Sequence, residues 1–380
     1  MSKKADDKKN VVVVGGGLAG SQLARELSSK FDASKYNLIL INDRPYIINL
    51  IACARMTTSN VDRLEDRVLI SYDKLFVNGN GTFLQGSVAA IEEIAPGQGG
   101  SVVLQSGERI PYAVLVLATG SKWSGPLQFP EADSDLRLHI NEWRKRIADA
   151  KDIYLIGGGA VGIEFAGEIR DIYPRAQEKK ITIVHSDSML LNSVYPAKFR
   201  KDIEYRCRTH GINIAFGEYV DQLPEPGKIG FTTRNGTQFP KADLVIPTFG
   251  AHANTAFISS LGSDVLAANG CVKVKPTLEV QGHPGVFAVG DIVDWEEQKQ
   301  AAKAGNHVGI VAPNVLSFLI GQSQTKLYNG STELIVIPLG KNGGSCYFDI
   351  LWGIVLGDWF ARLIKSKDLF VSKARSDRGL

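Results

Sequence analysis

Cysteine is scarce in this sequence, and no two stand at short spacing. Cys53, Cys207, Cys271 and Cys346 form neither CxxC nor CxxxxC, so neither a disulfide framework nor a zinc site is indicated. The six histidines likewise make no ligand pattern, and no metal is expected. This sulfur usage fits a reducing, cytoplasmic setting. Charge of one sign is also missing: 43 basic residues against 40 acidic ones, net +3, count against nucleic acid as a partner. No apolar run approaches the ~18 residues of a spanning helix. The polar opening MSKKADDKKN lacks the apolar core of a secretory signal and is expected to be a disordered leader over residues 1–9, while Ser2 excludes N-myristoylation. The three Asn-x-Ser/Thr sequences, at Asn80, Asn235 and Asn329, read as turn sequences.

What is present is apolar strand followed by glycine. A 44% hydrophobic chain of 380 residues can bury a large core divided among two or three domains. VVVVGGGLAG, from Val11 to Gly20, runs a buried strand into Gly15, Gly17 and Gly20 at GxGxxG spacing. The first glycine allows the tight turn, the second lets backbone approach a pyrophosphate, and the third lets helix pack on strand. Leu18, Leu23 and Leu27 then give a helical face, and YNLILIN at Tyr36 to Asn42 gives the next strand. Asn42 and Asp43, at its tip, are the candidates for the adenosine ribose. LVLATGSKW places Thr119 and Gly120 at a strand end where a ligand would touch backbone.

The same signal returns about 140 residues later. IYLIGGGAVGIEFAGE, from Ile153 to Glu168, carries Gly157, Gly159 and Gly162 at the same spacing, followed by a helix and the strand ITIVHS. Two copies imply two dinucleotide sites, and a flavin with a nicotinamide is the natural pair. His185 stands at the second strand tip in place of an acid, which leaves NADH and NADPH both open. A third signal, FAVGD, puts Asp291 where a carboxylate can accept hydrogen bonds from a sugar alcohol. A helical segment is expected beside it from Glu297 to Ile320, its N-terminal dipole facing negative charge on a flavin.

Together these motifs resemble the two-dinucleotide flavoproteins of glutathione-reductase-like fold, over roughly Asn10 to Gly321. The resemblance implies an α/β chain with two Rossmann-like domains and a small C-terminal α+β domain. Its expected limits are 10–125 and 256–322 for a split FAD domain, 126–255 for the inserted NAD(P)H domain, and 323–380 for the C-terminal domain. Implied FAD contacts are Gly15, Gly17, Leu18, Ala19, Gly20, Arg55, Val88, Thr119, Gly120, Gly290, Lys299, Ala301 and Ala302, with Asp291 on the ribitol. Implied nicotinamide-dinucleotide contacts are Gly157, Gly159, Ala160, Val161, Gly162, His185 and Gly250, with Glu164 close to the nicotinamide.

Two features narrow the activity. Dithiol members carry CxxxxC after the second strand, whereas NLIACARMTT at Asn49 to Thr58 contains Cys53 alone. A buried, inert Cys53 is expected, against a single redox sulfur. In the tail, Trp352, Leu356, Trp359 and Leu363 fall at helical spacing, followed by the basic Lys365, Lys367, Lys373 and Arg375. This face is expected either to dock on the core or to meet a lipid interface as a peripheral contact. GKNGG at Gly340 to Gly344 and KSKDLFVS at Lys365 to Ser372 resemble the branch of ferroptosis suppressor and apoptosis-inducing-factor-like proteins, its fungal members included. That resemblance implies an NAD(P)H:quinone oxidoreductase passing a hydride to flavin N5 and then two electrons to a ubiquinone-type small molecule, with Lys365 and Phe370 by the quinone. It leaves a homodimer open. The alternatives are a single-cysteine peroxide or disulfide reductase, an NADH oxidase, and an interaction protein of the apoptosis-inducing type that binds DNA.

Overall fold

The computed structural model describes residues 8–225 and 227–380, so most of the expected leader, residues 1–7, lies outside the described residues. Chain order begins with the strand Lys9–Val14, whose last four residues are fully buried valines. It is central in a five-stranded sheet, flanked by Tyr36–Asn42 and Val114–Leu117, with Thr82–Gln85 and Val286–Ala288 at the edges. Every pairing in this sheet is parallel. Both faces of a parallel sheet are covered, which is why its strands read as unbroken Val/Ile/Leu runs instead of alternating. The edge strand Val286–Ala288 joins only after the chain has built a second sheet between residues 152 and 247.

That second sheet has four parallel strands in the order Ile212–Phe216, Lys180–His185, Asp152–Ile156, Leu244–Pro247. Two antiparallel units complete the sheet structure relevant here: a meander of Val88–Glu93, Gly100–Leu104 and Arg109–Tyr112, and a C-terminal meander of Leu334–Leu339, Gly343–Phe348 and Ile354–Leu356. The two nucleotide-type sheets are stitched by Ser121–Lys122 pairing with His252–Ala253. The long helix Ala301–Leu319, shorter at its start than the expected segment from Glu297, packs against the helix Leu18–Lys30.

The tail departs from its expected form. Trp352 to Leu363 is not one helix: Ile354–Leu356 is a strand paired with Gly343–Phe348, and a helical turn begins only at Asp358. Gly353 at φ +86° turns the chain into that strand, so the helical spacing of Trp352 and Leu356 is coincidental. The helical turn Asp358–Ala361 runs on into a π-helical turn, Arg362–Ser366. Leu369 and Phe370 follow, both left-handed at φ +52° and +54°, before the last helix Val371–Ser376. Consecutive non-glycine residues in that region are strained, and single π turns recur at functional sites.

Candidate active site

The first glycine turn is built by exclusion. A Cβ on Gly15, which sits at φ +100°, would come within 2.4 Å of Ala118 O, and one on Gly20 within 1.8 Å of Gly15 O. Gly17 faces open space, caps the helix Leu18–Lys30 and makes no side-chain cap bond. The first N–H groups of that 13-residue helix are therefore aimed outward at positive potential, the arrangement that binds a pyrophosphate. The second turn repeats it: Gly157 at φ +122° lies against Thr248, a Cβ on Gly162 would come within 2.0 Å of Gly157 O, and Gly159 is open at the cap of the helix Ala160–Ile172. Ala160 and Val161 form that helix's half-buried opening turn, and Gly250 lies exposed two residues beyond Thr248.

Strand tips hold both turns. Gly16 N–H donates to Asn42 Oδ1 at 2.8 Å, and Asn42 Nδ2 donates to Arg44 O at 3.0 Å. Gly158 N–H donates to His185 Nδ1 at 3.1 Å. Asn42 is thus occupied in shaping the turn, while the Asp43 carboxylate pairs with Arg44 at 3.0 Å and stays partly exposed. Because His185 Nδ1 accepts, the ring is the neutral Nε2–H tautomer, and burial pushes its pKa below the ordinary value.

The FAVGD motif folds against the first turn. Gly290, at φ +78°, would bring a Cβ 3.1 Å from Ala19 Cβ. Asp291 beside it accepts from Ser121 Oγ at 2.7 Å, next to Thr119 and Gly120. Thr119 Oγ1 donates to Asn254 O at 2.6 Å, and Asn254 N–H to Gly120 O at 2.8 Å. A histidine that no motif marked sits behind: Gly290 N–H donates to His307 Nδ1 at 3.1 Å, and His307 Nε2 meets Glu297 Oε1 at 3.1 Å. Its only sequence signal is a lone histidine among small residues in a buried helix face. Ala301 and Ala302 are exposed at the uncapped start of the helix Ala301–Leu319, whereas Lys299 Nζ is drawn to Val293 O at 2.6 Å. Val88 is half-buried at a bulge opening the first meander.

The tail closes onto the second turn. Lys365 Nζ donates to Glu164 Oε1 at 2.8 Å and to Val336 O at 3.0 Å, joining two expected site residues 201 positions apart. One helical turn on from Glu164, Glu168 forms a buried bidentate pair with Arg55, at 2.7 and 2.8 Å. Arg55 also donates to Ser366 O at 2.8 Å and Lys367 O at 3.4 Å. Its guanidinium therefore joins Glu168 to the π turn. Burial pushes the Glu168 carboxyl up, and the Arg55 guanidinium opposes that shift. Phe370 lies half-buried just beyond, in its left-handed conformation.

Sulfur takes no visible part. Cys53 is fully buried, its thiol donates to Asn49 O at 3.4 Å, and burial pushes its pKa far above the ordinary thiol value. A thiolate nucleophile needs the opposite surroundings.

Two glycine turns on two parallel sheets, bridged at Thr119 to Asn254, define a two-dinucleotide oxidoreductase fold. A family model for pyridine nucleotide-disulphide oxidoreductases matches residues 9–307, and the chain belongs to that family. It is 50% identical over 329 residues to "FAD-dependent oxidoreductase FVFD30" of Flammulina velutipes, covering 85% of this chain and 99% of that protein. It is 31% identical over 382 residues to "Ferroptosis suppressor protein 1" of Xenopus tropicalis, covering 98% and 97%. Among solved structures, the sulfide:quinone oxidoreductase of Aquifex aeolicus aligns at a TM-score of 0.77 with 18% identity, over 97% of this chain and 92% of that one. FAD and a nicotinamide dinucleotide are accordingly its cofactors, and the open faces of Gly17 and Gly159 are cradles that fit their pyrophosphates.

Proposed function

We propose that this enzyme is an NAD(P)H:quinone oxidoreductase in which FAD occupies the first turn and NADH or NADPH the second. The observation that carries the reading is the Lys365–Glu164 pair, which ties the tail to the helix of the nicotinamide turn. The ferroptosis suppressor relative and the name of the sulfide:quinone oxidoreductase neighbour lend support. Bound FAD would supply hydride acceptance from the nicotinamide and two-electron delivery to the acceptor.

The chain's own residues supply position and charge. The uncapped helix starts at Gly17 and Gly159 bind phosphate, and Asp291, oriented by Ser121, offers carboxylate oxygen to the ribitol. Lys365 is half-buried, so its ammonium acts at reduced dielectric on charge developing at a quinone oxygen. Glu164 holds that ammonium and can receive or return its proton. Phe370 offers a ring edge for a flat quinone.

The same tail carries a lipid-facing surface. Ile350, Leu351 and Trp352 project from the hairpin tip, with Leu351 74% exposed and Trp352 fully so. Trp359 is 75% and Leu363 63% exposed beside the π turn. Arg362 and Lys367 are exposed among them. Aromatic rings interleaved with cations fit a membrane surface, which is where a lipid-soluble quinone would be met. No helix among the described residues is long and apolar enough to cross a membrane.

An anaerobic titration tests the assignment. NADH should bleach the flavin absorbance of the purified protein, and a short-chain ubiquinone should restore it. Lys365→Met should lower quinone turnover by 10²-fold or more, the scale of removing one charge-stabilising group, without loss of FAD. Cys53→Ser should leave turnover unchanged. Reoxidation by disulfide or peroxide that disappears in Cys53→Ser would replace the quinone with a sulfur mechanism.

A further inference from the structure

The two glycine turns are built alike, and they differ beneath the helix. Under the first, the guanidinium of Arg378 is buried against the opening turn of the helix Leu18–Lys30. Its Nη2 donates to Leu18 O at 3.1 Å, its Nε to Ser21 Oγ at 3.0 Å and its Nη1 to Ala374 O at 2.9 Å. The Ser21 hydroxyl in turn donates to Gly17 O at 2.6 Å. A continuous chain of hydrogen bonds therefore runs from the C-terminal tail to the glycine that faces the pyrophosphate cradle. The second turn has Ala160 and Ile163 at the positions of Leu18 and Ser21, so the relay has no hydroxyl there.

The charge on Arg378 is met only at a distance, by Asp377, whose carboxylate is itself paired with Lys373. Arg378 is 3% exposed, and among the described residues no carboxylate forms an ion pair with it. Its position makes this more costly, because the N-terminal end of a helix is its positive pole. Arg170 offers the contrast: it too is buried and bonded to carbonyls, of Tyr173, Lys179 and Gly211, but it lies at the end of its helix, where the dipole favours a cation. A buried cation at a positive pole is stabilised by an anion arriving at that pole, and the dinucleotide pyrophosphate is such an anion.

We infer that Arg378 secures FAD: the tail sets a buried guanidinium beneath the first glycine turn, holds that turn through Ser21, and supplies positive charge toward the pyrophosphate. FAD retention depends on Arg378 in this way, and nicotinamide binding does not. The inference rests on FAD occupying the first turn, as proposed above.

The test is the FAD dissociation constant, from rebinding of FAD to apoprotein read by flavin fluorescence quenching. Arg378→Gln should raise it about tenfold or more. Arg378→Lys should recover most of the affinity, and Ser21→Ala should fall between. NAD⁺ affinity of the FAD-loaded variants should stay at the wild-type value. Thermal melts with and without FAD separate cofactor securing from plain tail docking: the rise in Tm on adding FAD should shrink in Arg378→Gln. An Arg378→Gln protein with wild-type FAD affinity overturns the inference. So does an equal loss of Tm in the apo and FAD-loaded forms. A wild-type protein that binds no FAD would instead overturn the cofactor assignment itself.

Discussion

Asn42 and His185 occupy the same place in the two copies, accepting the N–H of the middle glycine, but only one of them titrates. Burial lowers the His185 pKa from its ordinary 6.5, with Asp187 opposing the shift and Arg200 adding to it. A histidine whose folded pKa is depressed contributes stability that is present above 6.5 and is lost as pH falls below it, because the unfolded chain then binds more protons. Protonation at Nδ1 also removes the acceptor from Gly158 N–H, loosening the second glycine turn. The expected outcome is an NADH dissociation constant that rises severalfold between pH 7 and pH 5.5, measured on FAD-loaded protein. His185→Asn copies the first turn's solution and should flatten that profile. A variant with the wild-type slope would move the titrating group elsewhere.

At the scale of elements, Arg55 is the least expected side chain. The turns and their strands were legible because local rules specify them: glycine where a Cβ would strike a carbonyl, and continuous apolar runs where both sheet faces are covered. Nothing periodic marks Arg55 as the partner of Glu168, 113 residues away, and family resemblance alone assigns it to FAD. The tail misled for a related reason. Its apolar residues fall at helical spacing, but Gly353 and strand pairing to a distant segment override the period. In the structure Glu164 and Glu168 present two carboxylates from one helix face, one gripping Lys365 directly and the other gripping Arg55, which holds the carbonyls of Ser366 and Lys367. Arg55→Gln should leave a buried carboxylate unpaired and cost ~3–5 kcal/mol of stability. Arg55→Met with Glu168→Leu removes both charges and should return most of it, read by denaturant unfolding. Quinone turnover should stay low in the double variant, because the π turn bearing Lys365 loses the Arg55 brace on the carbonyls of Ser366 and Lys367. Full turnover with restored stability would make the pair structural only.

Across the whole molecule, the C-terminal segment works as a strap: it touches the helix Ala160–Ile172 through Lys365 and the helix Leu18–Lys30 through Arg378, and leaves Leu351, Trp352, Trp359 and Leu363 outward. Leu351 and Trp352, left-handed at φ +49° and +68°, are the central pair of the hairpin turn that Gly353 N–H closes on Ile350 O at 3.0 Å, and that turn holds both side chains outward. Insertion into a bilayer interface would bury them. At ~25 cal/mol per Å2 and ~100 Å2 buried per ring, each Trp contributes about 2.5 kcal/mol to such binding. Trp352→Ser with Trp359→Ser should therefore weaken cosedimentation with phosphatidylcholine–phosphatidylserine vesicles by tenfold or more. Turnover of a long-chain ubiquinone embedded in those vesicles should fall with it, while turnover of a short-chain ubiquinone in buffer should not change, since both rings are exposed. Equal losses with both quinones would place the rings in the chemistry instead of the membrane. A shift in oligomeric state on gel filtration, with vesicle binding intact, would make this face a contact between subunits. The separation of the two quinones is the informative reading, because only a surface that delivers the substrate without touching it can abolish one activity and spare the other.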